Sequence, residues 1–176
     1  MVSAQNEHID ILRNAIQMEV YGEDYFQKMS KWVKHPNTKS MFISLARQER
    51  RHIEVLREEL TRIEGGGDWI SPSSVKPGSS SSANREVFKG EAGGGPEMDS
   101  KAGELEAIKL AMDVEKRSID YYRKAGAEVT GSNAQKVFSW LVGEEAGHLT
   151  ILTAEYDNRS RSGFYFDTPE FSLEVM

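Results

Sequence analysis

The chain has 176 residues, with 22 Lys+Arg against 28 Asp+Glu, a formal net charge of −6 and an isoelectric point near 5.3. This composition suits one soluble globular domain, and the acidic balance argues against a nucleic-acid-binding protein. No apolar run approaches the roughly 18 residues that span a bilayer, and the start of the chain lacks a secretory signal pattern. We therefore expect a cytoplasmic protein without a membrane partner. The absence of cysteine excludes disulfides, thiol catalysis and thiolate-bound clusters, so any metal site must use oxygen and nitrogen ligands.

The first part of the chain predicts a helical hairpin over residues 5–63. Apolar residues recur at three- and four-residue steps, and the first helix should end just before Pro36. Thr38 is the expected N-cap of the second helix, and the glycines at 65–67 should end it.

The next stretch, residues 64–103, predicts a connector, since it contains nine Gly, eight Ser and three Pro. A second helical hairpin is predicted over 104–158, with Ser132 or Asn133 as the N-cap of its second helix. The remaining residues, 159–176, form an aromatic tail that we expect to pack on the bundle or on a partner copy.

The two hairpins form an internal repeat with a constant offset of 96 residues. Similar residues recur at this offset without a gap: Leu12 and Ile108, Tyr25 and Tyr121, Lys28 and Lys124, Phe42 and Phe138, Leu45 and Leu141. We therefore predict one all-α domain over residues 1–176, an antiparallel four-helix bundle of two repeated hairpins. Helices of about 24 residues are about 36 Å long, and a long crossover connection can return the chain over that distance.

Each predicted helix carries a polar residue in the middle of its apolar stripe. These residues are Glu19, then Glu49 with His52, then Glu115, then Glu145 with His148. In a Glu-x-x-His pair both side chains lie on one helix face, about one turn apart, and can reach the same point. Four carboxylates and two imidazoles in a dry interior are very unfavourable without cations, and two divalent ions balance four carboxylates. Electroneutrality therefore favours a dinuclear metal site.

Four other polar residues lie near this stripe and each has a structural alternative. Tyr25, Tyr121 and Tyr122 are two turns beyond the lone glutamates, where they could hydrogen-bond a ligand. Packing in the core with a satisfied hydroxyl is the favoured interpretation of all three. Glu23 lies one turn from Glu19 and is either a second carboxylate near the site or an exposed charge.

The remaining histidines and two of the tryptophans are less informative. His8 and His35 do not share the repeat, so we expect both at the surface and neither as a metal ligand. Trp32 and Trp140 are most simply core or interface aromatics. None of these four residues adds to the predicted site.

The repeated segments also resemble a known family. AIQMEVYGEDYF with ARQERRHIEVL, and AIKLAMDVEKRSIDYY with VGEEAGHLTIL, are similar to the ferritin-like di-iron carboxylate proteins, most closely to stand-alone rubrerythrin-like domains. The resemblance implies a ferritin-like bundle that holds two iron ions, with manganese or another divalent metal as the alternative. It assigns all six residues as metal ligands and as the catalytic set. In that family pattern Glu49 and Glu145 bridge the ions, Glu19 with His52 completes one ion, and Glu115 with His148 completes the other.

Two departures from the family bear on activity. Ser118 stands where rubrerythrins carry a further glutamate, and a rubredoxin module cannot be built without cysteine. The resemblance therefore implies peroxide reduction with electrons from a separate donor protein, such as a rubredoxin-type carrier. Ferroxidase or iron-storage activity is the first alternative, and a di-iron oxygenase is the second. We also expect a homodimer, because helical bundles of this type often pair.

Overall fold

The computed structural model describes residues 4–72 and 101–160, together with the backbone of two short strands. Its helices are α1 (Ala4–Trp32), α2 (Pro36–Glu64), α3 (Lys101–Glu128) and α4 (Ser132–Ser160). The strands β1 (Phe164–Tyr165) and β2 (Thr168–Pro169) pair antiparallel. Each helix has 28 or 29 residues and is therefore about 43 Å long. The all-α class and the two helical hairpins are confirmed, and none of the described helices has the length and hydropathy of a membrane span.

The direction of each helix follows from its connections and contacts. Three residues join α1 to α2 and three join α3 to α4, so each pair is an antiparallel hairpin. The Tyr25 hydroxyl donates to the carbonyl of Ala107, and the Tyr121 hydroxyl donates to the carbonyl of Ile11, so α1 and α3 are antiparallel too. Helices α2 and α3 consequently run parallel, the arrangement that requires a long crossover. The return path of that crossover, and the packing of the aromatic tail, lie outside the described residues.

The start of α2 differs from the prediction. The helix begins at Pro36, whose missing N–H costs nothing in the first turn, and His35 is the N-cap. The Nδ1 atom of His35 accepts a hydrogen bond of 3.5 Å from the backbone N–H of Thr38. Thr38 therefore lies buried within the first turn and is not the cap, and His35 has a structural role instead of a purely surface one.

The other helix ends follow the glycine pattern. Helix α2 ends at Glu64 with Gly65 as its C-cap, and Gly66 follows with a φ of +78°, a backbone conformation that glycine adopts without strain. Gly131 has a φ of +99° immediately before α4, which begins at Ser132 as the sequence indicates. The backbone N–H of Gln135 donates to the carbonyl of Gly131 at 3.2 Å, so the turn leads directly into the helix.

The core consists of two apolar clusters. Each of the residues named below from one cluster has its equivalent, 96 residues away in the sequence, in the other cluster. Leu12, Leu56, Tyr122, Phe138 and Leu141 belong to one, and Ile108, Leu152, Phe26, Phe42 and Leu45 belong to the other. All ten side chains are fully buried. Burying a Leu or Phe side chain stabilises the fold by ~2 kcal/mol, so these clusters offset the cost of the polar residues that the bundle also buries.

The first residues of the predicted connector pack against the bundle. Trp69 is 7% exposed and joins the apolar cluster that contains Phe138, with 5.8 Å between the two ring centroids. Its indole N–H donates to Nδ1 of His8 at 3.3 Å, and its carbonyl accepts from the side-chain amide of Asn133 at 2.9 Å. His8 is therefore half-buried and not a plain surface residue. The described start of the 64–103 segment is part of the domain, and only the aromatic side chain distinguishes it from the Gly/Ser-rich background.

Candidate metal centre

The six residues of the polar stripes meet in the interior of the bundle. Each is at most 3% exposed: Glu19, Glu49, His52, Glu115, Glu145 and His148. They come from all four helices, because the apolar residues on either side along each stripe turn the stripe toward the bundle axis. The structure thus brings together every residue of the predicted ligand set.

Their donor atoms form two overlapping groups. Glu19, Glu49, His52 and Glu145 form the first, and Glu49, Glu115, Glu145 and His148 form the second. Within each group the candidate ligand atoms lie within 4.8 Å of one another. Glu49 and Glu145 belong to both groups, which is the placement that bridging carboxylates need. The bridging roles themselves stay predictions.

Both imidazoles present the same nitrogen to the carboxylates. Nδ1 of His52 lies 3.0 Å from Glu19 Oε2 and 3.2 Å from Glu145 Oε1. Nδ1 of His148 lies 2.9 Å from Glu49 Oε1 and 3.0 Å from Glu145 Oε2. The two rings are stacked, with centroids 5.4 Å apart. Nδ1 is therefore the nitrogen available to a metal ion in each half of the cluster, and Nε2 faces away from it.

Several of these buried polar atoms lie close to one another but make no hydrogen bond of good geometry. They are Oε1 of Glu49 and Glu115, both carboxylate oxygens of Glu145, Nε2 of His52 and both ring nitrogens of His148. Buried polar groups in proteins are almost always hydrogen-bonded, so such a concentration of unsatisfied atoms needs an explanation. Carboxylate oxygens and imidazole nitrogens are the donors that iron and manganese accept. The residues present therefore fit a pair of divalent metal ions.

The pKa values of the four carboxyl groups divide them into two kinds. Burial, followed by the nearby carboxylate of Glu49, raises the pKa of Glu19 well above its usual value. Burial also raises the pKa of Glu115, to about 9. Burial acts in the same direction on Glu49 and Glu145, but contacts with neighbouring carboxyl groups and with both imidazoles outweigh it and lower the pKa of each. The two lone glutamates thus differ in the direction of their pKa shift from Glu49 and Glu145, the two that belong to both groups.

The imidazoles complete the charge balance. Burial lowers the pKa of His52 and of His148, but the surrounding carboxylates outweigh it, so that the pKa of His52 rises well above its usual value and that of His148 to about 12. Both imidazoles thus favour the protonated form where they face the carboxylates. Four carboxylates carry four negative charges, which two divalent cations balance, so the donor set matches two dications.

The three tyrosines take different roles. Tyr25 and Tyr121 donate to backbone carbonyls at 2.8 and 3.0 Å, so they are core tyrosines with satisfied hydroxyls. The hydroxyl of Tyr122 instead donates to Oε1 of Glu19, and the Tyr122 side chain is fully buried. Tyr122 therefore holds one oxygen of a candidate ligand in place.

Two further sequence candidates lie beside the cluster without joining it. The Glu23 carboxylate accepts hydrogen bonds of 2.8 Å from both the Arg50 guanidinium and the side-chain amide of Gln27, so it is a paired charge on the flank of α1. Ser118, at the position of the additional rubrerythrin glutamate, is buried but belongs to neither group of candidate ligands. The two groups of candidate ligands among the described residues therefore contain six residues in all.

Three residues that the sequence does not assign to the site lie near the cluster. A Cβ atom at Gly22 would lie 3.3 Å from Oε2 of Glu49, so a side chain there would crowd this carboxylate. Oε2 of Glu144 lies 3.7 Å from Nε2 of His52, and the indole of Trp140 meets the same imidazole edge-on, with centroids 5.2 Å apart. A glycine inside an otherwise helical pattern was a possible signal for Gly22. No signal in the single sequence separates Glu144 from other charged helix residues.

Comparison with known proteins identifies relatives of the whole bundle. A family model described as Rubrerythrin matches residues 10–156. A solved structure of a hypothetical protein from Pyrococcus furiosus is similar, with a TM-score of 0.66 and 20% sequence identity, over 93% of this chain and 94% of that chain. At this identity the similarity shows the fold alone. No curated protein matches the chain significantly.

Proposed function

The chain is a member of the rubrerythrin family, and from this premise we propose that it is a di-iron oxidoreductase that reduces hydrogen peroxide with electrons from a separate donor protein. The observation that carries the proposal is the buried cluster of four glutamates and two histidines, whose candidate ligand atoms form two overlapping groups. Within each group these atoms lie within 4.8 Å of one another, and several of them make no hydrogen bond of good geometry. The family gives the reaction class, and the cluster gives the place where it would occur.

In this proposal the ligand roles follow the overlap of the two groups. Glu49 and Glu145 belong to both groups and would be shared by the two ions, and one lone glutamate with one Nδ1 atom would complete the ligands of each. A di-iron pair bound by these residues would supply two electrons together to an O–O bond. Reduction of hydrogen peroxide to two water molecules consumes those two electrons and two protons. The donor protein must then return two electrons.

The chain's own residues would position the metal ligands and exclude water from them. The helices fix the two Glu-x-x-His pairs, and the Tyr122 hydroxyl holds Glu19. The apolar clusters bury the donor atoms and keep bulk water from them. Preorganised ligands of this kind need little rearrangement during a redox cycle, which favours rapid turnover.

The partners and the location are part of the same proposal. These 176 residues contain no cysteine and cannot hold a thiolate-bound iron centre, and a rubredoxin-type carrier has the right chemistry to act as the separate donor. A homodimer and a cytoplasmic location stay predictions from the sequence. A measured particle mass tests the first of these directly.

Ferroxidase activity is a second candidate, favoured by the composition of the donor set. With Ser118 outside the candidate groups, each half of the cluster offers one glutamate and one histidine, and the two halves share Glu49 and Glu145. This equal division resembles the symmetric ferroxidase centre of bacterioferritin. Oxygenase activity would need an apolar pocket open to the metals. A cavity of about 520 Å³ does lie beside His8, Trp69 and Asn133, but it is lined by none of the six candidate ligands.

Rapid mixing of anaerobically Fe(II)-loaded protein with hydrogen peroxide, and separately with oxygen, tests the proposal. We expect oxidation by peroxide to be much the faster and to be complete at two irons per chain. The variant E23A serves as a control, because Glu23 lies near the cluster but outside both groups. Equal or faster oxidation by oxygen would instead support ferroxidase activity, and a shell-sized particle mass would strengthen that outcome.

A further inference from the structure

The two halves of the candidate centre match in their donors but not in their surroundings. We call Glu19 with His52 the first half-site and Glu115 with His148 the second; the offset of 96 residues relates them. An exact repeat would give both half-sites the same supporting contacts. Within residues 4–72 and 101–160, two such contacts, one from a carboxylate and one from a hydroxyl, are found at the first half-site and not at the second.

The outward nitrogens of the two imidazoles differ most clearly. Nε2 of His52 lies 3.7 Å from Oε2 of Glu144, a distance that a small rotation of this partly exposed carboxylate closes to a hydrogen bond. Nε2 of His148 has no hydrogen-bond partner, and among the described residues no carboxylate oxygen lies within 4.0 Å of it. The residue equivalent to Glu144 is Gln48, whose amide donates to the backbone carbonyl and hydroxyl of Ser44 at 3.5 and 3.4 Å instead.

The lone glutamates differ in the same sense. The Tyr122 hydroxyl donates to Oε1 of Glu19, and Oε2 of Glu19 faces Nδ1 of His52 at 3.0 Å. The residue equivalent to Tyr122 is Phe26, which has no hydroxyl, and Oε1 of Glu115 has no hydrogen-bond partner. Oε1 of Glu115 instead lies 3.5 Å from Nδ1 of His148. Among the described residues, a hydroxyl on another helix therefore orients the lone glutamate of the first half-site only.

These contacts bear directly on metal affinity. An imidazole that binds a metal through Nδ1 carries its proton on Nε2, and a carboxylate that accepts this proton fixes the tautomer and ring orientation and makes Nδ1 a stronger donor. Loss of such an outer partner typically lowers metal affinity by about 10- to 100-fold. Glu144 is placed to act in this way on His52, whereas His148 has no corresponding partner.

We propose that the two half-sites bind metal unequally, with Glu144 and Tyr122 positioning His52 and Glu19 so that the first half-site takes the first ion. The second half-site then fills at a higher metal concentration. This inference rests on the proposed metal centre, and it adds an order of loading that the ligand set alone does not contain. Glu144 and Tyr122 are positioning residues in this scheme, because each acts through a ligand.

Titration of the full-length chain with Mn(II), followed by calorimetry and by electron paramagnetic resonance, tests the inference without any turnover. We expect two binding steps whose affinities differ by about 10-fold or more. At one Mn(II) per chain the spectrum should show mainly isolated ions, and the signal of coupled pairs should appear with the second equivalent. Two equal steps in the wild-type protein would overturn the inference alone, whereas no binding at all would overturn the proposed centre with it.

Variants at position 144 separate contact from charge. E144Q keeps the shape of the side chain, and E144D keeps its charge but shortens its reach. We expect both to weaken the first step by about 10- to 100-fold and to leave the second unchanged, so that coupled pairs appear already at one equivalent. Unchanged binding in E144D would mean that charge alone matters, and equal weakening of both steps would mean a general electrostatic effect. Either result would refute the positioning role.

The repeat also supplies a matched gain-of-contact variant. Q48E places a carboxylate at the position equivalent to Glu144, so we expect it to tighten the second step and to bring the two affinities together. Y122F should weaken the first step by a smaller factor than E144Q and leave the second unchanged. Circular dichroism of each variant without added metal separates these effects from misfolding. Tightening of the first step by Q48E would contradict the assignment.

Discussion

The two hairpins match in the layer where the six candidate ligands meet and differ at the ends of the bundle. At one end Arg159 pairs with Glu104 at 2.7 Å and donates to the Thr38 hydroxyl at 2.9 Å. At the other end the equivalents of Arg159 and Glu104 are Ile63 and His8, and Trp69 closes the core there. One end is thus held by a polar network and the other by an aromatic side chain.

This difference shows which constraints the repeat obeys. The central layer needs equivalent donors from both hairpins, so its residues correspond one to one at the offset of 96. An end only has to be closed, and both an ion pair and an indole ring can do so. Positions such as 63 and 159 can therefore diverge, whereas 49 and 145 cannot without loss of the proposed centre.

The largest expected effect breaks the matched layer. E49A and E145A should each abolish binding of a metal pair and lower the stoichiometry from two ions per chain to one or none, because each removes a carboxylate common to both groups. Metal analysis after Fe(II) or Mn(II) loading and gel filtration measures this. E23A should retain two ions per chain. Two ions still bound by E145A would show that the ligand assignment is wrong.

A smaller effect should follow from breaking the polar end. R159M keeps most of the side-chain volume but removes the ion-pair partner of the buried Glu104 carboxylate. Burial acts to raise the pKa of Glu104, but hydrogen bonds from the N–H of Lys34 and from the guanidinium outweigh it, so the pKa is lowered. Breaking a buried ion pair costs ~3 kcal/mol, to be measured by urea unfolding. I63V, the matched change at the apolar end, should cost only ~1 kcal/mol. A loss in R159M no greater than in I63V would contradict the contrast between the ends.

The buried carboxyl group of Glu59 should make the stability of the fold depend on pH. Burial raises the pKa of Glu59 to about 7, against a weaker lowering by its hydrogen bond from Ile70 N–H. The folded state thus binds this proton more tightly than the unfolded state, so the stability it contributes is full below about pH 4.5 and is lost as pH rises through 7. E59Q should stabilise the fold by ~2 kcal/mol at pH 8 and by almost nothing at pH 4.

Unfolding of wild type and E59Q at both pH values checks this sign. E64Q, on an exposed neighbour at the end of α2, is the control and should change stability by less than ~0.5 kcal/mol at either pH. A stabilisation by E59Q that is larger at pH 4 than at pH 8 is incompatible with a raised pKa.

The smallest expected effect is also the most symmetric. Y25F and Y121F each remove one hydroxyl that bonds a backbone carbonyl on the opposite hairpin, at 2.8 and 3.0 Å. Each should cost ~1 kcal/mol of unfolding free energy, with the two losses equal to within ~0.5 kcal/mol. A difference well above that value in thermal or urea unfolding would show that the repeat does not hold at these positions.

The parts of the molecule that sequence could predict are those set by periodicity. A residue's place on a helix face depends only on its number along the helix, so Glu19 and the two Glu-x-x-His pairs could be assigned to the interior. The repeat added that their partners lie on the other hairpin. Both conclusions survive small errors in helix boundaries.

Helical periodicity does not predict which side chains meet between helices. Whether Tyr122 or Tyr121 faces Glu19 depends on a rotation of α3 by one residue, about 100°, and whether Glu144 reaches His52 depends on the rotation of α4 against α2. The sequence does not decide the cap of α2, because His35 and Thr38 both lie within two residues of Pro36 and the backbone turn selects between them. The burial of Trp69 could not be predicted, because a Gly/Ser-rich stretch has no periodic pattern that indicates where its backbone packs.

The division of the candidate ligands between the hairpins has a consequence for assembly. The first hairpin holds Glu19, Glu49 and His52, and the second holds the other three, so neither can form a metal pair alone. Ion binding is then coupled to the docking of two similar halves, and the covalent link between them acts by raising their effective concentration. Metal bound at the centre would stabilise the docked arrangement of the two hairpins, so the free energy of docking would depend on the metal concentration.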